Sequence, residues 1–247
     1  MMVYNILKNT LKSVFPKKVL FKYEDNFRKI LYPFYKGENC ACNICGSKLK
    51  NFEKLENGNL LCPVCGSLPR TRRLWKIVNE DFMTKKNISV LDFSPSRSIF
   101  KKLSKNSEIN YFPTDFSDEF LSVYHYDITK IEAESDKFDL IMCYHILEHI
   151  DEDAFAMAEL FRVLKPGGTC LIQTPFKEGE IYEDDTKKSE KQRLEFFGQE
   201  DHVRIYSVNG LKQRLENAGF NIEIKKFEED VYLGLNKGET VIFAKKN

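Results

Sequence analysis

The sequence predicts an α/β protein, a doubly wound and mostly parallel sheet preceded by a small cysteine-rich module. Three observations carry that reading. Phe138–Cys143 is a continuous apolar run without alternation, as expected of a parallel strand covered on both faces. A helix follows: Asp151, Glu152 and Asp153 supply negative charge where a helix N-terminus favours it, and Pro166-Gly167-Gly168 is expected to stop it before a second buried strand at Thr169–Thr174. Strand, helix and strand then form one right-handed crossover of an open sheet. The third observation is a pair of C-x-x-C motifs upstream, Cys42/Cys45 and Cys62/Cys65.

Composition narrows the function classes. A chain of 247 residues has room for one α/β domain and a small module. A formal net charge of +1 gives no general attraction to nucleic acid or to an anionic membrane. No run reaches the roughly 18 apolar residues of a membrane span. The N-terminus lacks a long apolar core followed by a small-residue cleavage site, which argues against secretion. Four of the seven cysteines fall in the two pairs, a usage that points to metal in a reducing, cytoplasmic setting rather than to disulfides.

Residues 1–38 are basic and aromatic. Val3, Ile6, Leu7, Leu11, Val14 and Phe15 recur at helical spacing up to Pro16, and 23–35 reads as a second helix. The first helix either packs on the main domain or makes a peripheral membrane or protein contact. Residues 39–82 form the metal module and a linker helix. Each C-x-x-C-G is a knuckle whose glycine permits the turn that brings two thiolates onto one metal, and sixteen residues separate the knuckles. Cys42, Cys45, Cys62 and Cys65 would close a tetrahedral Zn²⁺ site with no room for water, so the zinc is expected to be structural. Cys40 is a spare thiol that could substitute in register, while Cys143 and Cys170 read as core residues. Leu68–Glu80 reads as a helix coupling the module to the main domain. Its Arg70, Arg72 and Arg73 either grip phosphate or an acidic substrate, or pair with the acidic stretch 178–185.

The main domain occupies 83–247. Strands are expected at Ile88–Phe93, Asn110–Thr114, Val123–Asp127, Phe138–Tyr144 and Thr169–Thr174. A helix follows at Ser207–Ala218, and strands at Phe220–Phe227 and Glu239–Lys245 end the domain. The polar, acidic segment Phe176–Gln199 reads as a lid.

Two stretches, Phe138–Ile150 (FDLIMCYHILEHI) and Leu160–Pro175 (LFRVLKPGGTCLIQTP), resemble the fourth and fifth strand regions of class I S-adenosylmethionine-dependent methyltransferases, specifically the type 11 methyltransferase-domain family. No G-x-G-x-x-G follows a strand, which disfavours a nicotinamide-binding domain. The resemblance implies a Rossmann-like, seven-stranded sheet with S-adenosylmethionine bound beyond the carboxyl ends of its strands. Asp115, about twenty residues after the first strand, can accept both hydroxyls of a ribose and matches the family's ribose ligand. A surface turn is the alternative. By resemblance Asp127 accepts from the adenine amino group, or else simply forms a turn. The family's acidic-x-G-x-G-x-G is here Asp92-Phe-Ser-Pro-Ser-Arg-Ser, with serines at 94, 96 and 98. Asp92 and the Ser94 turn would then hold the amino-acid end of the cofactor.

Tyr144 and His145 are expected to line the cofactor, and Glu148 and His149 to stabilise the turn after the fourth strand. Methyl transfer from a sulfonium mainly needs alignment, with a general base if the acceptor is a hydroxyl. His145, His149 and His202 are the candidates, with His202 preferred. His202 lies beside Arg204 in a stretch similar to relatives that join a zinc ribbon to this domain, and either acts as base or acceptor ligand or is a hydrogen-bonded structural histidine. Three functions follow: methylation of a small molecule or glycan precursor, methylation of an RNA base with the zinc module on the RNA, or a non-catalytic binding module. The small acceptor suits the near-neutral charge and the acids of 178–185, which repel phosphate.

Overall fold

A computed structural model describes residues 24, 28–30, 32–117 and 119–247. The N-terminal helix expected over Met1–Phe15 lies outside the described residues, and the described part of 24–35 is helical. The chain divides into two compact units. One comprises residues up to 84 together with 227–239; the other comprises 85–226 and 240–247.

In the first unit, β1 (Lys36–Ala41) pairs antiparallel with β2 (Lys48–Leu49), and β3 (Glu53–Lys54) with β4 (Leu60–Leu61). These two ribbons carry the cysteine knuckles. Helix α1 (Pro69–Asp81) starts with proline in its first turn, where the missing N–H costs nothing. It buries Leu74, Trp75, Ile77 and Val78, as its apolar spacing requires. It also buries Arg72 and Arg73. Arg72 is 0% exposed, and its donors go to the carbonyls of Leu60, Ser67, Leu233 and Gly234 while its plane lies 4.1 Å over Phe52. Arg73 bonds Glu239 and the carbonyls of Glu228 and Asn236. Arg72 and Arg73 are therefore internal scaffolding of this unit, while Arg70 is exposed.

The second unit is built on a six-stranded sheet in the order β12-β13-β8-β7-β5-β6. Its parallel strands are β5 (Ile88–Phe93), β6 (Ile109–Thr114), β7 (Phe138–Tyr144) and β8 (Leu164–Gln173), followed by β12 (Asn221–Phe227) and β13 (Glu239–Lys245), the last antiparallel to β8. Helices α2 (Arg97–Leu103), α3 (Asp153–Val163) and α5 (Val208–Asn217) accompany them, and Leu91, Ile141, Met157, Leu160, Ile172 and Leu211 lie in its core. Cys143 and Cys170 are buried there, as their strand positions predicted.

One expectation needs correction and two gain detail. The seventh strand, Val123–Asp127, is reduced to a single bridge between Thr114 and Tyr124. Pro113 in β6 has no N–H to offer a further strand; its carbonyl takes both Val123 N and Tyr124 N, and the Thr114 hydroxyl takes Tyr126 N. The helix after β7 ends at Val163, before Pro166-Gly167-Gly168, because the residue ahead of a proline avoids helical backbone. Leu164 is already extended and pairs with Phe138, and a register irregularity at Phe138/Leu140 absorbs the glycines. Finally, 176–199, read as a lid, carries regular structure. β9 (Phe176–Lys177) and β10 (Tyr182–Glu183) flank β11 (Arg204–Ser207) in a small sheet. Helix α4 (Glu190–Phe197) begins with a Ser189/Gln192 capping box and ends on Gly198 at φ +87°. Glu183 is held by Arg204 at 3.0 Å and Arg214 at 2.5 Å, so this acid serves as an ion-pair partner.

Candidate functional site

The carboxyl ends of β5, β6 and β7 lie side by side, and the residues expected to hold the cofactor sit on them. Asp92 is almost wholly buried in β5 and accepts a 2.7 Å hydrogen bond from the Tyr111 hydroxyl of β6. Burial pushes its carboxyl up to about 7, against the lowering effect of that bond. Tyr111 escaped the sequence reading because an aromatic residue in a strand carries no signal of what it touches.

Immediately after β5, Ser94 adopts φ +45°, and immediately after β7, His145 adopts φ +56°. Non-glycine residues rarely take this backbone, and such strain gathers where structure serves a ligand. Ser94 thus reproduces the conformation for which a glycine would serve. Its amide donates to the Thr114 carbonyl and its hydroxyl to Asp115 Oδ1, both bonds holding it there. Asp115 is 2% exposed, and its Oδ2 also accepts from Ser117 Oγ, Glu119 N and Phe120 N. The carboxylate organises the loop after β6. Ser96 instead caps α2 by accepting from Ile99 N, and Ser98 lies within that helix.

Asp127 stands in a turn, where its Oδ1 accepts from the amide and hydroxyl of Thr129. That geometry matches the turn-forming alternative. Tyr144 ends β7. His145 donates its amide to the Gln173 carbonyl and places Nδ1 3.2 Å from Glu148 Oε1, off the line of a hydrogen bond, while its buried Nε2 has no hydrogen-bond partner.

His202 comes to a different group. It is 3% exposed, its Nδ1 lies 3.2 Å from the Phe197 carbonyl, and its ring meets His149 edge-on at 4.7 Å. Burial, followed by the neighbouring His149, lowers its pKa and keeps it neutral. Ligand atoms of Glu148, His149 and His202 all lie within 4.8 Å of one another. Arg204 steadies this corner by bonding the carbonyls of Ile150 and Asp151. The sequence placed Glu148 and His149 as helpers of a turn; nothing in their spacing showed His202 folding against them.

In the first unit the four cysteines of the two knuckles converge, also within 4.8 Å. The knuckles are near copies. Cys42 N bonds Ser47 O and Gly46 N bonds Cys42 O, as Cys62 N bonds Ser67 O and Gly66 N bonds Cys62 O. Both glycines stand at φ +73°. Sγ–Sγ separations of 3.6 Å (Cys42–Cys65) and 3.8 Å (Cys45–Cys62) match the edge of a tetrahedron with Zn–S bonds of about 2.3 Å. Hydrogen bonds from the other three pull the Cys42 thiol well below its usual range. Cys40 is buried outside this set, with Sγ on the Leu49 carbonyl.

A sheet that is parallel but for one edge pair, with an acidic, strained crevice beyond β5–β7, is the framework of a nucleoside-binding α/β enzyme. Residues 69–224 match the family described as "Methyltransferase domain". The chain belongs to this family, the class I S-adenosylmethionine-dependent methyltransferases. A curated relative from Mycolicibacterium smegmatis, described as "Probable S-adenosylmethionine-dependent methyltransferase", is 26% identical over 109 residues, 42% of this chain and 36% of that protein. The chain thus spans about a third of that relative's length. A methyltransferase of Archaeoglobus fulgidus shares the fold at a TM-score of 0.51, with 17% identity over 71% of this chain and 94% of that one. Phosphoethanolamine N-methyltransferase 2 of Haemonchus contortus, solved with S-adenosyl-L-methionine, gives 0.52, with 16% identity over 70% of this chain and 52% of that one.

Proposed function

We propose that the chain transfers a methyl group directly from S-adenosylmethionine to a small molecule or glycan precursor. The pairing of Ser94 with Asp115 across β5 and β6, beside a second strained residue at the end of β7, is the observation that supports a cofactor site there. The bound cofactor would supply a sulfonium-activated methyl. Asp115 would hold the ribose, exchanging its bond from Ser94 Oγ for one from a hydroxyl, and Asp92 with the Ser94 turn would face the amino-acid end. Tyr144 and His145 would line the crevice at β7. His145 and His202 both keep a buried Nε2 without a hydrogen-bond partner, and His145 is the better-placed base because it directly follows β7 at the carboxyl end of the sheet. His202 lies instead in the group with Glu148 and His149, its ring edge-on to that of His149.

The small acceptor is favoured over RNA by the fate of the arginines. Arg72 and Arg73, the best candidates for gripping phosphate, are buried and bonded to carbonyls and Glu239. The net charge of +1 adds no attraction. A structural Zn²⁺ on Cys42, Cys45, Cys62 and Cys65 completes the reading. Besides the tetrahedral spacing, Arg72 supports it: a fully buried guanidinium bonded only to neutral groups calls for nearby negative charge, and the thiolates supply it.

Calorimetric titration of S-adenosylmethionine into the zinc-loaded chain tests the proposal. Micromolar affinity is expected, falling at least about 100-fold in Asp115→Ala, since hydrogen bonds to a charged group contribute about 1.5–3 kcal/mol each. A folded wild type that binds no cofactor would leave a non-catalytic module. Tight RNA binding with a steep salt dependence would return the acceptor to RNA.

A further inference from the structure

Outside the proposed cofactor crevice, Glu148, His149 and His202 present an unexplained combination. Glu148 is 1% exposed and His202 3%, yet both carboxylate oxygens of Glu148 and Nε2 of His202 have no hydrogen-bond partner. A buried carboxylate without donors is costly, and such groups are normally paired or hold a cation. Each histidine has one ring nitrogen occupied by oxygen. His202 Nδ1 faces the Phe197 carbonyl at 3.2 Å, and His149 Nδ1 faces Asp201 Oδ2 at 3.1 Å. A carbonyl on Nδ1 requires the proton there, which leaves the lone pair of His202 on Nε2. Oxygen partners of this kind set the tautomer and aim of metal-bound imidazoles.

We propose that Glu148, His149 and His202 bind a divalent transition-metal cation at a site separate from the four-cysteine cluster. Two imidazoles and one carboxylate form a three-ligand face suited to Mn²⁺, Fe²⁺ or Zn²⁺, with open positions for exchangeable oxygen ligands. Their ligand atoms already lie within 4.8 Å of one another, so little movement is needed. His149 is half-buried, with 27% of its side chain exposed, and provides the entry. His145 Nδ1, 3.2 Å from Glu148 Oε1, ties the site to the end of β7. The occupant of an open position would be water or an oxygen of the methyl acceptor. The second of these rests on the methyltransferase reading above; the cation site does not.

The test is titration of Mn²⁺ into the full chain carrying one Zn²⁺ per molecule, the amount the four thiolates take up, followed by the electron paramagnetic resonance of free Mn²⁺. Four thiolates select zinc over manganese, so the probe reports the His/Glu site. One Mn²⁺ per chain at micromolar affinity is expected, weakened at least about 100-fold in His149→Ala, which is partly exposed, and in Glu148→Gln, which keeps the side chain's shape. Undiminished free Mn²⁺ with a wild type of native circular dichroism would overturn the site, as would equal binding by wild type and both variants. Calorimetry with S-adenosylmethionine on the same samples separates the two claims. Cofactor binding without Mn²⁺ binding rejects the metal site alone, and the reverse rejects the methyl-transfer reading alone.

Discussion

Asp92 shows at the scale of one residue how a site's chemistry writes itself into stability. Its folded-state pKa of about 7 lies above the value near 3.9 of an unfolded aspartate. The group therefore favours folding fully below about pH 4, and that contribution is lost as pH rises through about 7. Asp92→Asn removes the titration while leaving an acceptor for Tyr111. Thermal unfolding should show the variant gaining on wild type by about 2–3 kcal/mol, several degrees of Tm, between about pH 5 and pH 8. A constant difference across that range would mean the carboxyl does not titrate there. What the sequence made legible at this scale was residue position rather than partnership. Asp92, Ser94, Asp115, Tyr144 and His145 do end the predicted strands. Tyr111 on Asp92 and His202 on His149 are contacts between distant segments that no local spacing encodes.

At the scale of elements, legibility followed hydrophobic continuity. β5 and β7 are largely apolar runs, broken only by Ser89 and Asp92 in one and Asp139 in the other, and both were readable to the residue. Val123–Asp127 has the residue types of a strand but meets Pro113, whose missing donor no window over 123–127 could report. The polarity of 176–199 hid its regular structure, whose order comes from pairing with β11 and from docking against α5. Gly210 of α5 marks that docking: a Cβ there would stand 2.4 Å from Ile181 Cγ1 and 2.9 Å from Ile181 Cδ1. Gly210→Ala is favourable for an isolated helix but should destabilise this fold by about 1–3 kcal/mol through overpacking. Chemical denaturation should show a lower midpoint. An unchanged or raised midpoint would mean that Ile181 and its strand yield freely.

For the whole molecule, the two units draw stability from different sources. The second has an extensive apolar core around the sheet. The first has short two-stranded ribbons, and the binding energy of a structural metal would hold such a segment together. Scanning calorimetry should therefore resolve two transitions. Chelation at neutral pH is expected to lower that of the zinc unit, while S-adenosylmethionine at about a hundredfold over its Kd should raise the other by the equivalent of about 2.7 kcal/mol. A single transition moved equally by chelator and cofactor would show that the units melt together. Among the described residues no helix is long and apolar enough to cross a membrane.

The route of the chain through these units bears on its birth at the ribosome. The carbonyls of Leu233 and Gly234 that receive the Arg72 guanidinium emerge 161 and 162 residues after it. At about 5–20 residues per second that is a wait of roughly 10–30 s. The same passage also delivers β13, which lies between β12 and β8. Neither unit can close until residues 227–245 have been made, so an early-captured zinc would sit in a nascent module whose buried cation still lacks its acceptors. Slow translation or a pause just before residue 227 would prolong this half-built state, and a chaperone would find both units open at once.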